Sequence, residues 1–143
     1  MGRILAIDYG QKRTGLAVTD ELRIIAGPLE TVPSASIIPY LRLYFLDNVV
    51  DCIVVGEPRD MRNRPSEAER FIAPFVRRLI KEFPDKKIVR YDERFTSLMA
   101  SRTIREAGLR KSYRQDKALV DKVSAVLILN SYLDSLTART KHP

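Results

Sequence analysis

Acids at three places in this 143-residue chain stand where acids are expensive. Asp8 ends the apolar run Ile4–Ile7, which reads as a central strand covered on both faces. A carboxylate there is half-desolvated, which costs free energy unless a cation or hydrogen-bond donors meet it. Asp92 and Glu93 close a second strand in "VRYDERFTS". Strand alternation points them to opposite faces, so one of the two can reach a shared site. Asp121 lies in "DKALVDKVSAVLILNSYL". In a helix starting near Asp116, its partners at i+4, i+7 and i+11 are Ala125, Ile128 and Tyr132, an inward stripe. Each acid also has an ordinary reading. Asp8 suits the turn before Gly10, the acid of Asp92/Glu93 that misses the site can cap a helix or pair with Arg94, and Asp121 can pair with Lys117. If the helix instead begins at Asp121, that acid is a simple cap.

Carboxylates gathered at one sheet edge repel one another unless a hard divalent cation joins them. Oxygen-only ligands suit Mg²⁺ or Mn²⁺. Zinc does not fit, because the single Cys52 sits in the apolar run "CIVV" and the single His142 is in the tail. Two such cations about 4 Å apart activate a water and stabilise the leaving oxygen in phosphodiester cleavage. The substrate side of that chemistry is a polyanion. Lysine and arginine number 25 against 18 acids, a net charge of +7, with a pI near 9.8. Three basic loops are suitably placed: Lys12 and Arg13 after Asp8, Arg59, Arg62 and Arg64 after the "DCIVVG" strand, and Arg110, Lys111, Arg114 and Lys117 with Tyr113 before the last helix. Arg94 beside Glu93 can hold a phosphate, and Tyr113 can stack on a base. Any one of these taken singly reads as a solvated loop charge; their coincidence is what points to nucleic acid.

The elements that must position these residues follow from hydrophobic periodicity. Ile4–Ile7, Thr14–Val18 and Leu22–Ile25 read as a three-strand antiparallel meander. Ile37, Ile38, Leu41, Tyr44 and Phe45 fall at helical spacing, and "DCIVVG" is a fourth buried strand. Ser66 and Glu69 fit a capping box for a second helix ending near Phe83 and Pro84. "KKIVRY" is a fifth strand, a third helix capped by Thr96 or Ser97 stops at Gly108, and the last helix runs from about Asp116 to Leu136. The later strands are expected parallel to the first or joined by right-handed crossovers, giving an α/β fold with helices on a mixed sheet. The length suits a single domain, taken as residues 1–138 with a frayed tail at 139–143. A lone cysteine rules out an internal disulfide. No apolar run approaches the ~18 residues of a membrane span, and no signal peptide is visible. These features predict a cytoplasmic protein.

The stretches "AIDYGQKRTGLAVTD", "VVGEPRDM", "VRYDERFTS" and "VDKVSAVLILNSYLD", in this order and spacing, resemble the YqgF/RuvX family. These are RuvC-like proteins of the ribonuclease H superfamily, described as Holliday junction resolvase-like and as pre-16S rRNA nucleases. The resemblance covers nearly the whole chain. It implies a ribonuclease H-like fold with a five-stranded mixed sheet, divalent-metal-dependent phosphodiester hydrolysis, and maturation of the 5′ end of 16S rRNA. By motif, Asp8 matches the strand-one acid, Glu93 is preferred over Asp92 for the second, and Asp121 matches the last-helix acid. The chain departs from the family at Glu57, where an apolar residue is usual; RuvC-type resolvases carry a catalytic acid at the end of strand four, so Glu57 is a further candidate ligand ranked below Glu93.

Three other functions compete. The near variant is a DNA nuclease resolving four-way junctions, which needs a dimer; the expectation here is a monomer or weak homodimer. "IDYGQKRTGLAV" also looks like the first phosphate loop of actin-like and sugar-kinase ATPases, but those need two such domains and there is no GxxxxGK[ST] loop. The last is a catalytically silent RNA-binding factor associated with pre-ribosomal particles, gripping through Arg and Lys alone.

Overall fold

The computed structural model describes residues 2–59, 62, 64–93 and 117–141, with last-helix side chains from 120 to 137. Strands β1 (Arg3–Tyr9), β2 (Arg13–Thr19) and β3 (Ala26–Pro33) form the antiparallel meander. β4 (Val50–Glu57) and β5 (Lys87–Asp92) run parallel to β1, in the sheet order β3-β2-β1-β4-β5. A 3-10 turn at Ser34–Ser36 leads into α1 (Ile37–Asp47). Helices α2 (Glu69–Glu82) and α3 (Lys117–Lys141) complete the described elements. Among the described residues no helix is long and apolar enough to cross a membrane.

The pleat of the central strands divides the core in two. Leu5, Ile7, Ile53 and Val55 point to the side of α1 and α2 and pack with Ile38, Leu41, Phe75 and Leu79. Ile4, Ala6, Cys52 and Val54 point the other way, to Ala125, Ile128, Leu129 and Tyr132 of α3. Both faces being covered explains why β1 and β4 read as unbroken apolar runs, and Cys52 is a buried core residue as expected.

Three local expectations are corrected. The third strand is not Leu22–Ile25 but Ala26–Pro33, and Leu22, Ile24 and Ile25 are each 69% exposed in the turn before it. The Asp20 carboxylate ties that turn by accepting the N–H groups of Leu22, Ile24 and Ile25 at 3.2, 2.8 and 2.9 Å. Those donors, Ile25 first, hold the Asp20 carboxyl below its usual range. Arg23 takes φ 59°, and its guanidinium bonds the Gly2 carbonyl and Asp51. The strand displaced by this turn tolerates Pro28 and Pro33 because it is a sheet edge. Second, the capping box at Ser66 does not form: α2 has no side-chain cap, Ser66 Oγ finds no partner among the described residues, and Glu69 is taken by Arg90. Third, α3 passes its expected end at Leu136 and stays helical to Lys141, inside the stretch expected to fray. The expected third helix from Thr96 or Ser97 to Gly108 lies outside the described residues.

Candidate active site

β1, β4 and β5 are parallel, so their carboxyl ends share one edge, at Tyr9, Glu57 and Asp92. The pleat decides which acids at that edge meet. Asp8 alternates with Ala6 and Ile4 and therefore faces α3. Gly56 pairs with Tyr91 on that same face, whereas Glu57 pairs with Asp92 on the α2 face. Glu93, one residue beyond Asp92, returns to the α3 face and lies against Gly56. A Cβ on Gly56 would stand 3.0 Å from both Glu93 Cδ and Ile128 Cδ1, so the absent side chain is the space that Glu93 occupies.

Asp121 arrives from the opposite side of the cluster. Asp8 and Gly15 are register partners in the β1–β2 ladder. Over Gly15 the backbone of α3 comes so close that a Cβ there would sit 2.5 Å from the Asp121 carbonyl carbon. Asp121 is the fifth residue of α3, well inside it, and Ala125, Ile128 and Tyr132 below it are buried. Its Oδ2 accepts a hydrogen bond from Arg13 Nε at 3.0 Å, a partner 108 residues away in sequence.

The three carboxylates act on one another electrically. Burial pushes the Asp8 carboxyl up to about 6, and the nearby Asp121 charge adds to the rise. Burial also pushes Glu93 up to about 7; Asp8 is the next cause, Arg90 opposes it, and Glu69 and Asp92 add smaller upward pushes. Asp8 is thus the middle member, repelled from both sides.

As a donor set this suits a hard divalent cation: oxygen only and anionic, with two members whose charged form burial disfavours. Among the described residues, however, no three His, Cys, Asp or Glu side chains close into a ready ligand cluster. Asp121 is engaged with Arg13, and loading would require the carboxylates to turn towards a common point. Asp8, Glu93 and Asp121 would be the ligands.

Glu57 belongs to a different network. Glu57 accepts from Arg59 Nε at 2.6 Å and lies 3.8 Å from Arg90. Arg90 forks onto Glu69 at 2.7 and 3.0 Å and donates to the Gly56 carbonyl at 3.2 Å. Of the cations singled out from sequence, Lys12, Arg62 and Arg64 are exposed, Arg13 is bound to Asp121 and Arg59 to Glu57. Arg94, Arg110, Lys111, Tyr113 and Arg114, and the side chain of Lys117, lie outside the described residues. Gly15, Gly56 and Arg90 were not singled out from the sequence. A glycine in the middle of "RTGLAV" and another ending "CIVVG" were the available signals, since an interior strand glycine marks close approach by another group.

Three comparisons with known proteins agree. A family model described as "RuvX: Holliday junction resolvase" matches residues 2–135. A Porphyromonas gingivalis protein named "Putative pre-16S rRNA nuclease" is 57% identical over 135 residues, covering 94% of this chain and 98% of its own. Proteins of the same name from Flavobacterium johnsoniae and Bacteroides fragilis are each 50% identical over the same coverage. The crystal structure of fowlpox virus resolvase with its substrate Holliday junction DNA superposes with a TM-score of 0.57 at 11% identity, covering 94% of this chain and 98% of that one. At that identity the likeness is one of fold, and the fold is ribonuclease H-like.

Proposed function

The chain belongs to the RuvX family, and from that premise we propose that it is a divalent-metal-dependent nuclease hydrolysing a phosphodiester bond in maturation of the 5′ end of pre-16S rRNA. The observation that carries this reading is the convergence of Asp8, Glu93 and Asp121 on the α3 face of the carboxyl edge, with Asp8 and Glu93 both pushed up in pKa. Mutual repulsion among buried acids is costly and persists where it serves a site.

In this reading Asp8 is the fixed ligand, held by the rigid centre of the sheet, and Glu93 and Asp121 flank it. A bound Mg²⁺ or Mn²⁺ would supply a Lewis acid and lower the pKa of a coordinated water. Asp8 and Glu93 retain protons to higher pH than ordinary carboxyls, so they release protons when the site loads. Arg13 holds Asp121 Oδ2 in its resting position and would be a cation at the cluster for the developing phosphate charge. Lys12 and the basic loop around Arg59, Arg62 and Arg64 border the same edge and would meet the polyanion outside the site. The same reading places the protein in the cytoplasm with pre-ribosomal particles, as a monomer or weak homodimer.

The test is cleavage of a 5′-extended rRNA precursor with Mn²⁺ by the wild type and by Asp8→Asn, Glu93→Gln and Asp121→Asn. Cleavage by the wild type and loss in all three variants is expected. Cleavage that survives the substitutions sinks the site, and binding without any cleavage favours the silent assembly factor. The family description and the fowlpox neighbour favour a second reading, resolution of a four-way DNA junction. The same proteins offered such a junction in parallel decide between the two.

A further inference from the structure

We infer that the outward face of α2, with the pocket at its N-terminal end, is the path along which a single-stranded RNA flank leaves the cluster edge. The inference rests on the nuclease reading but concerns a different face of the sheet. A pocket of about 440 Å³ opens beside the turn after β1, lined among others by Tyr9, Gly10, Gln11, Glu67, Arg70 and Phe71. Tyr9 is the next residue after Asp8, so a strand reaching Asp8 on one face needs only to cross the end of β1 to enter the pocket on the other. Tyr9, one of the lining residues, is stacked on Phe75 at 4.1 Å between ring centroids.

Two large apolar residues of this amphipathic helix stay exposed, Phe71 and Ile80, and Phe71 is the one at the pocket. Ile72, Phe75, Val76 and Leu79 bury the inward face, yet Phe71 keeps 37% of its surface exposed at the pocket mouth. The Arg70 guanidinium lies 5.5 Å from its ring centroid. An exposed ring paired with a planar cation is a stacking platform that any base can use, because every base has a π-face. Below it, Arg77, Arg78 and Lys81 are exposed on the same helix, and none is ion-paired with a described residue. Two acids of this helix are already committed, Glu69 to Arg90 and Glu82 to Arg42. From Arg70 to Lys81 the helix rises about 16 Å, the span of several nucleotides. An aromatic platform followed by unpaired cations is the pattern of sequence-tolerant single-strand binding, and it suits a precursor extension better than a rigid duplex.

The experiment measures anisotropy of a labelled single-stranded oligouridine in EDTA, so binding is read without cleavage. Arg77→Ala/Arg78→Ala/Lys81→Ala is expected to weaken binding and to flatten the salt dependence by about 2 in slope, at about 0.7 for each phosphate that the variant no longer neutralises. Phe71→Ala is expected to lose about 5- to 100-fold in affinity, and Phe71→Tyr to restore it. Ultraviolet crosslinking of the wild type should map to the Tyr9–Gln11 turn and α2, which tests the path without any substitution. Wild-type affinity and slope in both variants, crosslinks confined to other segments, or a duplex bound more tightly than the single strand would each overturn the inference. If the wild type binds through α2 but never cuts the precursor, the nuclease reading fails and the binding path stands. If it cuts and the α2 variants bind normally, the path alone fails.

Discussion

Gly15 and Asp121 are in backbone contact: a methyl group on Gly15 would stand 2.5 Å from the Asp121 carbonyl carbon and 3.1 Å from its Cβ. The obstacle is helix backbone, which cannot step aside as a side-chain tip can. Gly15→Ala is therefore expected to lift the start of α3 off β2 and carry Asp121 away from Asp8. Overpacking of this kind costs about 1–3 kcal/mol. A lower melting temperature together with abolished precursor cleavage is the expected pair of results. Full activity in a stable Gly15→Ala protein would show that the close approach does not set the site.

Asp8 and Glu93 make the metal-free protein less stable as pH rises. Both carboxyls have folded-state pKa values above their ordinary ones, from 3.8 to about 6 and from 4.5 to about 7. Between roughly pH 4 and 7 the folded state holds more protons than the unfolded chain, so stability falls through that window. Asp8→Asn should stabilise the metal-free protein by about 1–3 kcal/mol above pH 7 and give little at about pH 4. Urea melts at the two pH values, in EDTA, check this. Equal effects at both would remove the electrostatic explanation.

A divalent cation should reverse that penalty. Any ligand that binds only the folded state stabilises it by mass action, about 2.7 kcal/mol at a hundredfold excess over Kd. Addition of Mn²⁺ or Mg²⁺ is expected to raise the melting temperature of the wild type, with release of protons, and to do neither in Asp8→Asn. An unchanged wild-type melt across a wide cation range would argue against a metal site at this edge.

A cation bound at the proposed site would compete with Arg13 for Asp121. The Arg13–Asp121 pair is partly exposed, at 40% and 22%, so losing it costs at most about 1 kcal/mol. Arg13→Gln is expected to fold normally and bind Mn²⁺ at lower concentration, because Asp121 is released, while cleaving more slowly. Weaker Mn²⁺ binding in this variant would show that Arg13 orients Asp121 rather than restrains it.

Glu57 and Asp92 are expected to be dispensable for the chemistry, since their register places them on the α2 face. Glu57→Gln and Asp92→Asn should retain cleavage within a few fold, against near-complete loss in Glu93→Gln. Loss of activity in Glu57→Gln with an intact fold would reopen its role as a ligand.

Much of the fold was legible because its signals are local. Apolar runs marked β1 and β4, and the inward stripe through Ala125, Ile128 and Tyr132 showed that Asp121 faces the core. Where the reading went astray, a distant partner or a special turn had intervened. Glu69 is suited to a capping box, but Arg90, 21 residues on, outbids Ser66 for it. Leu22–Ile25 has strand-like composition, but Asp20 folds the segment into a turn through three backbone donors. The choice among Glu57, Asp92 and Glu93 could not be made from single-strand patterns. It depends on the β4–β5 register and on where β5 ends, which no local signal fixes.

That register carries a consequence for folding. A one-residue slip of β5 against β4 would turn Arg90 into the acid cluster, where its guanidinium would neutralise Asp8, and would swing Glu93 out to the other side. The slipped sheet would strip Glu69 and the Gly56 carbonyl of their Arg90 bonds. Arg90 guards against this decoy: its fork onto Glu69 and its bond to the Gly56 carbonyl form only when β5 is seated as observed. The guanidinium is thereby a register mark: the seating that bonds it to Glu69 is the one that leaves Asp8 and Glu93 on a common face.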